Sequence, residues 1–147
     1  MIKILNIDIR ELINNHEVCA ITTNGFVKNN GECVMGRGVA KIAAELYPKL
    51  PQRLGQMLND FGNQVYWFSE FRIFSFPVKH VWWKKADIKL IIQSTKELYD
   101  GIDKLRIEKC YLPKPGCENG GLKWEDVERE IEPFLHPNVI IIDKKES

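Results

Sequence analysis

What the sequence lacks narrows it first. Its four cysteines, Cys19, Cys33, Cys110 and Cys117, contain no C-x-x-C pair, so a thiolate zinc site is not expected. No His/Cys/Asp cluster offers ligands either, and neither a metal nor another cofactor is expected. No apolar run reaches the roughly 20 residues that span a bilayer, so no membrane partner is expected. No signal-peptide pattern is read at the start. The expectation is a cytoplasmic protein with reduced thiols. An excess of one charge is also missing: 21 basic residues face 20 acidic ones, for a formal net charge of +1. That excludes a protein held to nucleic acid mainly by a strong overall positive field. A local patch is still possible, and "KHVWWKK" (residues 79–85) is the candidate. Repeats and low-complexity linkers are absent. Residues 1–147 therefore read as one domain, long enough to bury a core without staples.

What is present alternates. "IKILNIDI" reads as a first strand, followed by a short helical turn or loop, "RELINNHE". "VCAITT" is a continuous apolar run, typical of a strand buried on both faces. A Gly- and Asn-rich loop leads into a segment whose Val39, Ile42, Ala43, Leu46 and Tyr47 recur at helical spacing. "PQRLGQMLNDFG" is a second helix, with proline at its start and glycine past its end. "QVYWFSE" and "FRIFSFPV" are aromatic and β-branched, hence strands. The longest helical pattern, residues 84–105, places Ile88, Ile91, Ile92, Leu98 and Ile102 on one face. "KCYLPK", a glycine loop, the acidic helix "WEDVEREIEPFL" and the strand "NVIIID" complete the chain. Helices alternating with buried-type strands predict a three-layer α/β/α sandwich around a mostly parallel or mixed sheet.

Two glycine-rich loops follow strands and precede helices: residues 24–38 and 116–121. Backbone N–H groups at a helix start favour an anion, and glycine lets that backbone approach a phosphate closely. The same glycines also suit plain turns. The dinucleotide fingerprint G-x-G-x-x-G would need glycine where Lys41 stands, and no G-x-x-x-x-G-K-[ST] string occurs. Two such loops at the strand ends of one sheet favour an anion site.

The motifs together resemble the macrodomain family, which binds ADP-ribose. "NIDI" is similar to its opening strand and "TTNG" to its second. "VMGRGVAKIAAELYP" is similar to its pyrophosphate loop and first helix, and "PKPGCENGGLKWEDV" to its second phosphate loop. "FSFPVKHVWWKKADIKLI" further resembles the branch containing the antitoxin that removes ADP-ribose from thymidine in DNA. That branch also holds the human terminal ADP-ribose glycohydrolase. The resemblance implies a bacterial or phage source and roles for particular residues. Asp8, with the Ile9 backbone, would read adenine. Asn24 would hold the distal ribose and sit beside the reacting bond. Gly36, Arg37, Gly38 and Val39 would bind the pyrophosphate. Gly116, Cys117, Glu118, Asn119, Gly120, Gly121 and Leu122 would close over it.

Lys79 is the implied catalytic residue. Apolar neighbours, with positive charge from His80 or Arg37, would lower its pKa and free an amine. That amine would attack the anomeric carbon or polarise its bond. Glu118 stands where glycine is usual and is a candidate acid or base. Gly120 occupies the position of the glycohydrolase's catalytic Asp, as in the antitoxin. The expected function is an ADP-ribosyl hydrolase acting on a modified base or acidic side chain. A phosphatase for ADP-ribose 1″-phosphate and a non-catalytic reader are the alternatives. A monomer is expected, with ADP-ribose or an ADP-ribosylated macromolecule as its partner. Single-stranded DNA is a candidate part of the substrate, because Lys79, Lys84 and Lys85 lie among Trp82 and Trp83. Adjacent tryptophans on a strand would face opposite ways, which predicts one at the ligand and one in the core.

Overall fold

The computed structural model describes residues 2–143. In chain order the elements are β1 (Ile4–Leu5), α1 (Ile9–Asn14), β2 (Cys19–Asn24), α2 (Gly38–Leu46), α3 (Leu50–Phe61), β3 (Trp67–Phe68), β4 (Ile73–Lys79), α4 (Ile88–Leu105), β5 (Cys110–Pro113), α5 (Trp124–Ile131) and β6 (Val139–Ile142). A single 3₁₀ turn, Glu132–Phe134, follows α5. The six strands form one sheet in the order β1-β6-β5-β2-β4-β3. Every pairing is parallel except β3 with β4. The sheet is mixed, as expected.

Strand alternation builds the three layers. Cys19 and Ile21 of β2 join one apolar cluster with Leu12 of α1, Ala43 of α2 and Leu54 of α3. Ala20 of β2, with Phe74 and Phe76 of β4, faces the other way onto Ile91, Leu98 and Ile102 of α4 and Val127 of α5. Side chains on a strand point alternately to opposite faces, so a continuous apolar run serves both layers. The helices are bounded by the predicted punctuation. Pro51 sits in the first turn of α3 and Gly62 at its C-cap. The side chain of Asp87 caps α4 by accepting from the Lys89 N–H. No described helix is long and apolar enough to cross a membrane.

Two readings need correction. The first strand is much shorter than "IKILNIDI" suggests, because the Asp8 side chain accepts from the Arg10 N–H at 2.9 Å and starts α1 at Ile9. An N-cap aspartate competes well with continued extension. Trp82 and Trp83 lie in a turn beyond β4, not on a strand. Both are exposed, at 47% and 56%, and neither is core.

Candidate functional site: a cavity at the carboxyl ends of the strands

β2 pairs with β4 from Cys19 to Asn24. Against β5 its only registered partner is Tyr111, opposite Cys19. The two strands therefore part toward their carboxyl ends. The strand order also reverses here, since β4 lies on one side of β2 while β5 and β6 lie on the other. Such a switch point leaves a crevice that connecting loops cannot fill. A cavity of about 470 Å³ occupies it, within the usual size range for small-ligand sites. Its floor is made by Thr22, Thr23 and Asn24 of β2, Val78 and Lys79 of β4, and Pro113 and Lys114 at the end of β5.

The first glycine loop forms the roof. Asn24 holds it: its Nδ2 donates to Val34 O at 3.0 Å and its Oδ1 accepts from Phe26 N at 2.9 Å. Val27 and Cys33 bridge the loop antiparallel. Cys33 N also donates to Pro51 O of α3 at 2.9 Å. A Cβ on Gly55 of α3 would lie 1.9 Å from Gly31 O, so only glycine lets the loop lie this close to the helix. The roof is thus fixed to α3, and it presents Phe26 and Lys28 to the cavity.

The loop ends at the start of α2. Arg37 is the N-cap in extended conformation, with no side-chain cap, which leaves the first backbone N–H groups of the helix open to an anion. Gly36, Arg37 and Val39 line the cavity. Gly38 is absent from the lining but sets its geometry. Its φ is +55°, and a Cβ there would come within 2.8 Å of Asn119 Nδ2. The two glycine loops therefore touch.

The second loop supplies Gly116, Glu118, Asn119 and Gly120 to the lining. Leu122 N closes it onto Gly116 O at 2.9 Å, and the Leu122 side chain packs on the α4/α5 face. Cys117 is half-buried. Its thiol faces Pro115 O at 3.4 Å, and burial pushes it up to about 11. Gly121 lines a neighbouring cavity. Asp8 caps α1 and Ile9 is buried beside it. Neither contributes to the lining of this cavity.

Lys79 is the last residue of β4, where the ladder with β2 shifts register between Thr23 and Asn24. Its Nζ donates to Asn119 O at 3.0 Å and to Trp82 O at 3.4 Å. The amine therefore links β4, the tryptophan turn and the second loop. Its pKa is held below the ordinary lysine value, first by burial and then by the Arg37 guanidinium. His80, the other residue named from sequence, is engaged elsewhere. Its Nε2 faces Asp87 Oδ2 at 2.9 Å. Four basic residues, Lys28, Arg37, Lys79 and Lys114, face one carboxylate, Glu118, in the lining. Lys28 is paired with Glu32 and Lys114 with Asp143. Among these basic residues Arg37 remains for an anionic ligand. The described residues contain no cluster of three or more His, Cys, Asp or Glu side chains suited to a metal.

Phe26, Lys28, Met35 and Lys114 line the cavity without having been singled out from sequence. Lys114 directly follows β5 and precedes a glycine loop, so the switch-point rule marks its position. Met35 carries no such signal.

No protein-family model matches the chain. The DNA ADP-ribosyl glycohydrolase of Thermus aquaticus is 35% identical over 63 residues, covering 43% of this chain and 18% of that protein. The chain thus spans under a fifth of that relative's length. Among solved structures, the macrodomain of Mycobacterium tuberculosis DarG aligns with a TM-score of 0.76 at 23% identity, over 99% of both chains. The macrodomain of Thermus aquaticus DarG aligns at 0.73 and 26%, again over 99% of both. Thermosipho africanus DarTG in complex with ADP-ribose aligns at 0.74 and 18%, over 92% of this chain and 40% of that one. The agreement spans 99% of the chain in two of these structures, and the chain has the macrodomain fold.

Proposed function

We propose that the chain binds ADP-ribose in the strand-end cavity and hydrolyses the bond joining its distal ribose to a modified macromolecule. The observation that carries this reading is the position of Lys79. Its amine stands inside an anion-suited cavity, tied to Asn119 O of one wall and Trp82 O of the other. A neutral amine has two N–H groups and one lone pair. Donating to both carbonyls uses the hydrogens and leaves the lone pair for chemistry. The depressed pKa favours that neutral form. The relatives' names, a DNA ADP-ribosyl glycohydrolase and an ADP-ribose complex, point the same way.

The uncapped start of α2 and the second loop hold the pyrophosphate from two sides. Binding energy far from the reacting bond then orients it. The Lys79 lone pair forms a bond to the anomeric carbon as the bond to the leaving group breaks. The leaving group departs with the bonding pair and takes up a proton. Water then adds OH to the anomeric carbon, the amine leaves, and Lys79 is restored. The net reaction adds one water across the glycosidic bond. Glu118, the one carboxylate in the lining, is the candidate acid or base. Asn24 holds the roof over the reacting end. The resemblance supports a monomer in a bacterial or phage-encoded cytoplasmic setting.

Turnover of ADP-ribosylated thymidine oligonucleotide and of Glu-ADP-ribosylated protein tests this. Lys79→Ala is expected to lower kcat by at least about 100-fold, with ADP-ribose still raising the melting temperature. Undiminished turnover overturns the lysine mechanism. Phosphate release from ADP-ribose 1″-phosphate, with no macromolecular product, identifies the phosphatase instead. Stabilisation without any product identifies a reader, and no stabilisation overturns ADP-ribose as the ligand.

A further inference from the structure

A second cavity, of about 380 Å³, adjoins the first beyond Lys79. The two share Arg37, Lys79, Trp82, Asn119 and Gly120; Trp83, Lys84, Lys85 and Gly121 line the second alone. Its lining contains four basic residues, Arg37, Lys79, Lys84 and Lys85, and no carboxylate. Arg37, Lys79, Lys84 and Lys85 form no ion pair among the described residues. In a chain of net charge +1, that is a local concentration of unneutralised positive charge. Asp87, which closes the turn, is occupied by His80 and by the Lys89 N–H.

The aromatic surface is equally specific. Trp82 and Trp83 meet edge to face, with ring centroids 5.4 Å apart and planes at 83°. Trp83 meets Phe26 of the roof in the same way, at 5.4 Å and 70°. Both tryptophans are exposed at the rim of this cavity. The shelf is also anchored to the second glycine loop. Ala86 N donates to Gly120 O at 3.0 Å, and the Lys85 stem lies against Gly121.

We propose that this shelf is a second binding site, taking a neighbouring nucleotide of a single nucleic acid strand whose modified base reaches the first cavity. The inference rests on the proposed hydrolase reading and adds a contact outside ADP-ribose. Phosphates supply the anions for Lys84 and Lys85, and a base supplies the planar face for a tryptophan ring. Successive base stacking beside a cationic track is how single strands are held without sequence readout. Asp and Glu side chains would meet the lysines but offer the rings no aromatic face to stack on.

Kinetics on two substrates test it: an ADP-ribosylated thymidine mononucleoside, and the same base within an oligonucleotide of about 12 residues, a length in the usual single-strand site range. The wild type is expected to favour the oligonucleotide in kcat/KM by roughly tenfold or more at low salt. The double variant Lys84→Glu/Lys85→Glu is expected to erase that preference, leaving mononucleoside turnover and ADP-ribose affinity within about twofold. The slope of log affinity against log salt for a fluorescent single strand is expected to fall by about 1.4, since two lysines no longer neutralise phosphates. Trp83→Ala is expected to weaken strand binding by roughly tenfold with a smaller change in salt slope. Equal wild-type turnover of the two substrates overturns the site. So does strand binding indifferent to the charge reversal, or a matching preference for an acidic ADP-ribosylated peptide. Strand anisotropy needs no turnover. Failure of the hydrolase reading shows instead as no product from any substrate, with the strand result still separate.

Discussion

The two cavities meet at Lys79 but are built from different materials. The deeper one is made of strand ends, glycine backbone and a roof loop hydrogen-bonded to itself and to α3. Its shape follows largely from main-chain geometry. The shelf beside it is side-chain surface on one turn: two tryptophans and two lysines on residues 82–85. Backbone sites gain precision from the rigidity of the sheet, whereas side-chain sites gain affinity and salt sensitivity from charges that remain hydrated. A ligand common to all substrates suits the first, and a variable extension suits the second.

Variants that damage the main chain of the deeper cavity therefore break the contrast most sharply. Gly55→Ala places a methyl group on the Gly31 carbonyl and forces the roof from α3. A loss of about 3 kcal/mol is expected, or a fall in melting temperature of roughly 6–12 °C. ADP-ribose affinity should drop as well, while strand binding by the shelf survives below the transition. Calorimetry with and without ligand measures both.

Gly38→Ala must hold φ +55° and displace Asn119. The left-handed conformation costs about 1–2 kcal/mol for an L-residue, so ADP-ribose should bind roughly tenfold more weakly by titration calorimetry. Asn24→Ala removes two hydrogen bonds inside the roof, each worth about 1 kcal/mol. The expected result is a stability loss of about 1–2 kcal/mol by urea denaturation, with faster amide exchange in residues 25–34.

Arg37→Gln gives the smallest effect. A rate that needs neutral Lys79 rises with pH through that lysine's pKa. Burial and Arg37 both hold this pKa below 10.5, so removing Arg37 moves the kcat profile to higher pH and lowers the rate at neutrality. A profile that stays in place would mean that burial alone sets the amine. The same shift bears on stability. The unfolded chain binds this proton more tightly, so Lys79's contribution rises with pH between its folded pKa and 10.5 and is most unfavourable below that window.

Much of this was legible along the chain. "VCAITT" is apolar without a break from Val18 to Ile21, and both faces of the strand are buried there. Pro51 and Gly62 bounded α3 because one lacks an N–H to satisfy and the other turns freely at the helix end. The glycine loops were visible as loops, and Lys79 as the residue after a strand. The Asp8 cap was harder to see, since a carboxylate after an apolar run ends a strand or starts a helix with equal local sense. The tryptophan pair misled because alternation holds only while the backbone stays extended, and here it has left β4 for a turn.

The sequence by itself determined the three layers, since alternation and helical spacing dictate which residues must leave water. It also determined that two glycine-rich loops would follow strand ends. Only the tertiary structure decided that β2 and β5 part toward those ends, that Gly38 touches Asn119, and that one lysine spans both cavities. These are contacts between segments distant in sequence. Their geometry depends on sheet order and register, which no local pattern of residues encodes.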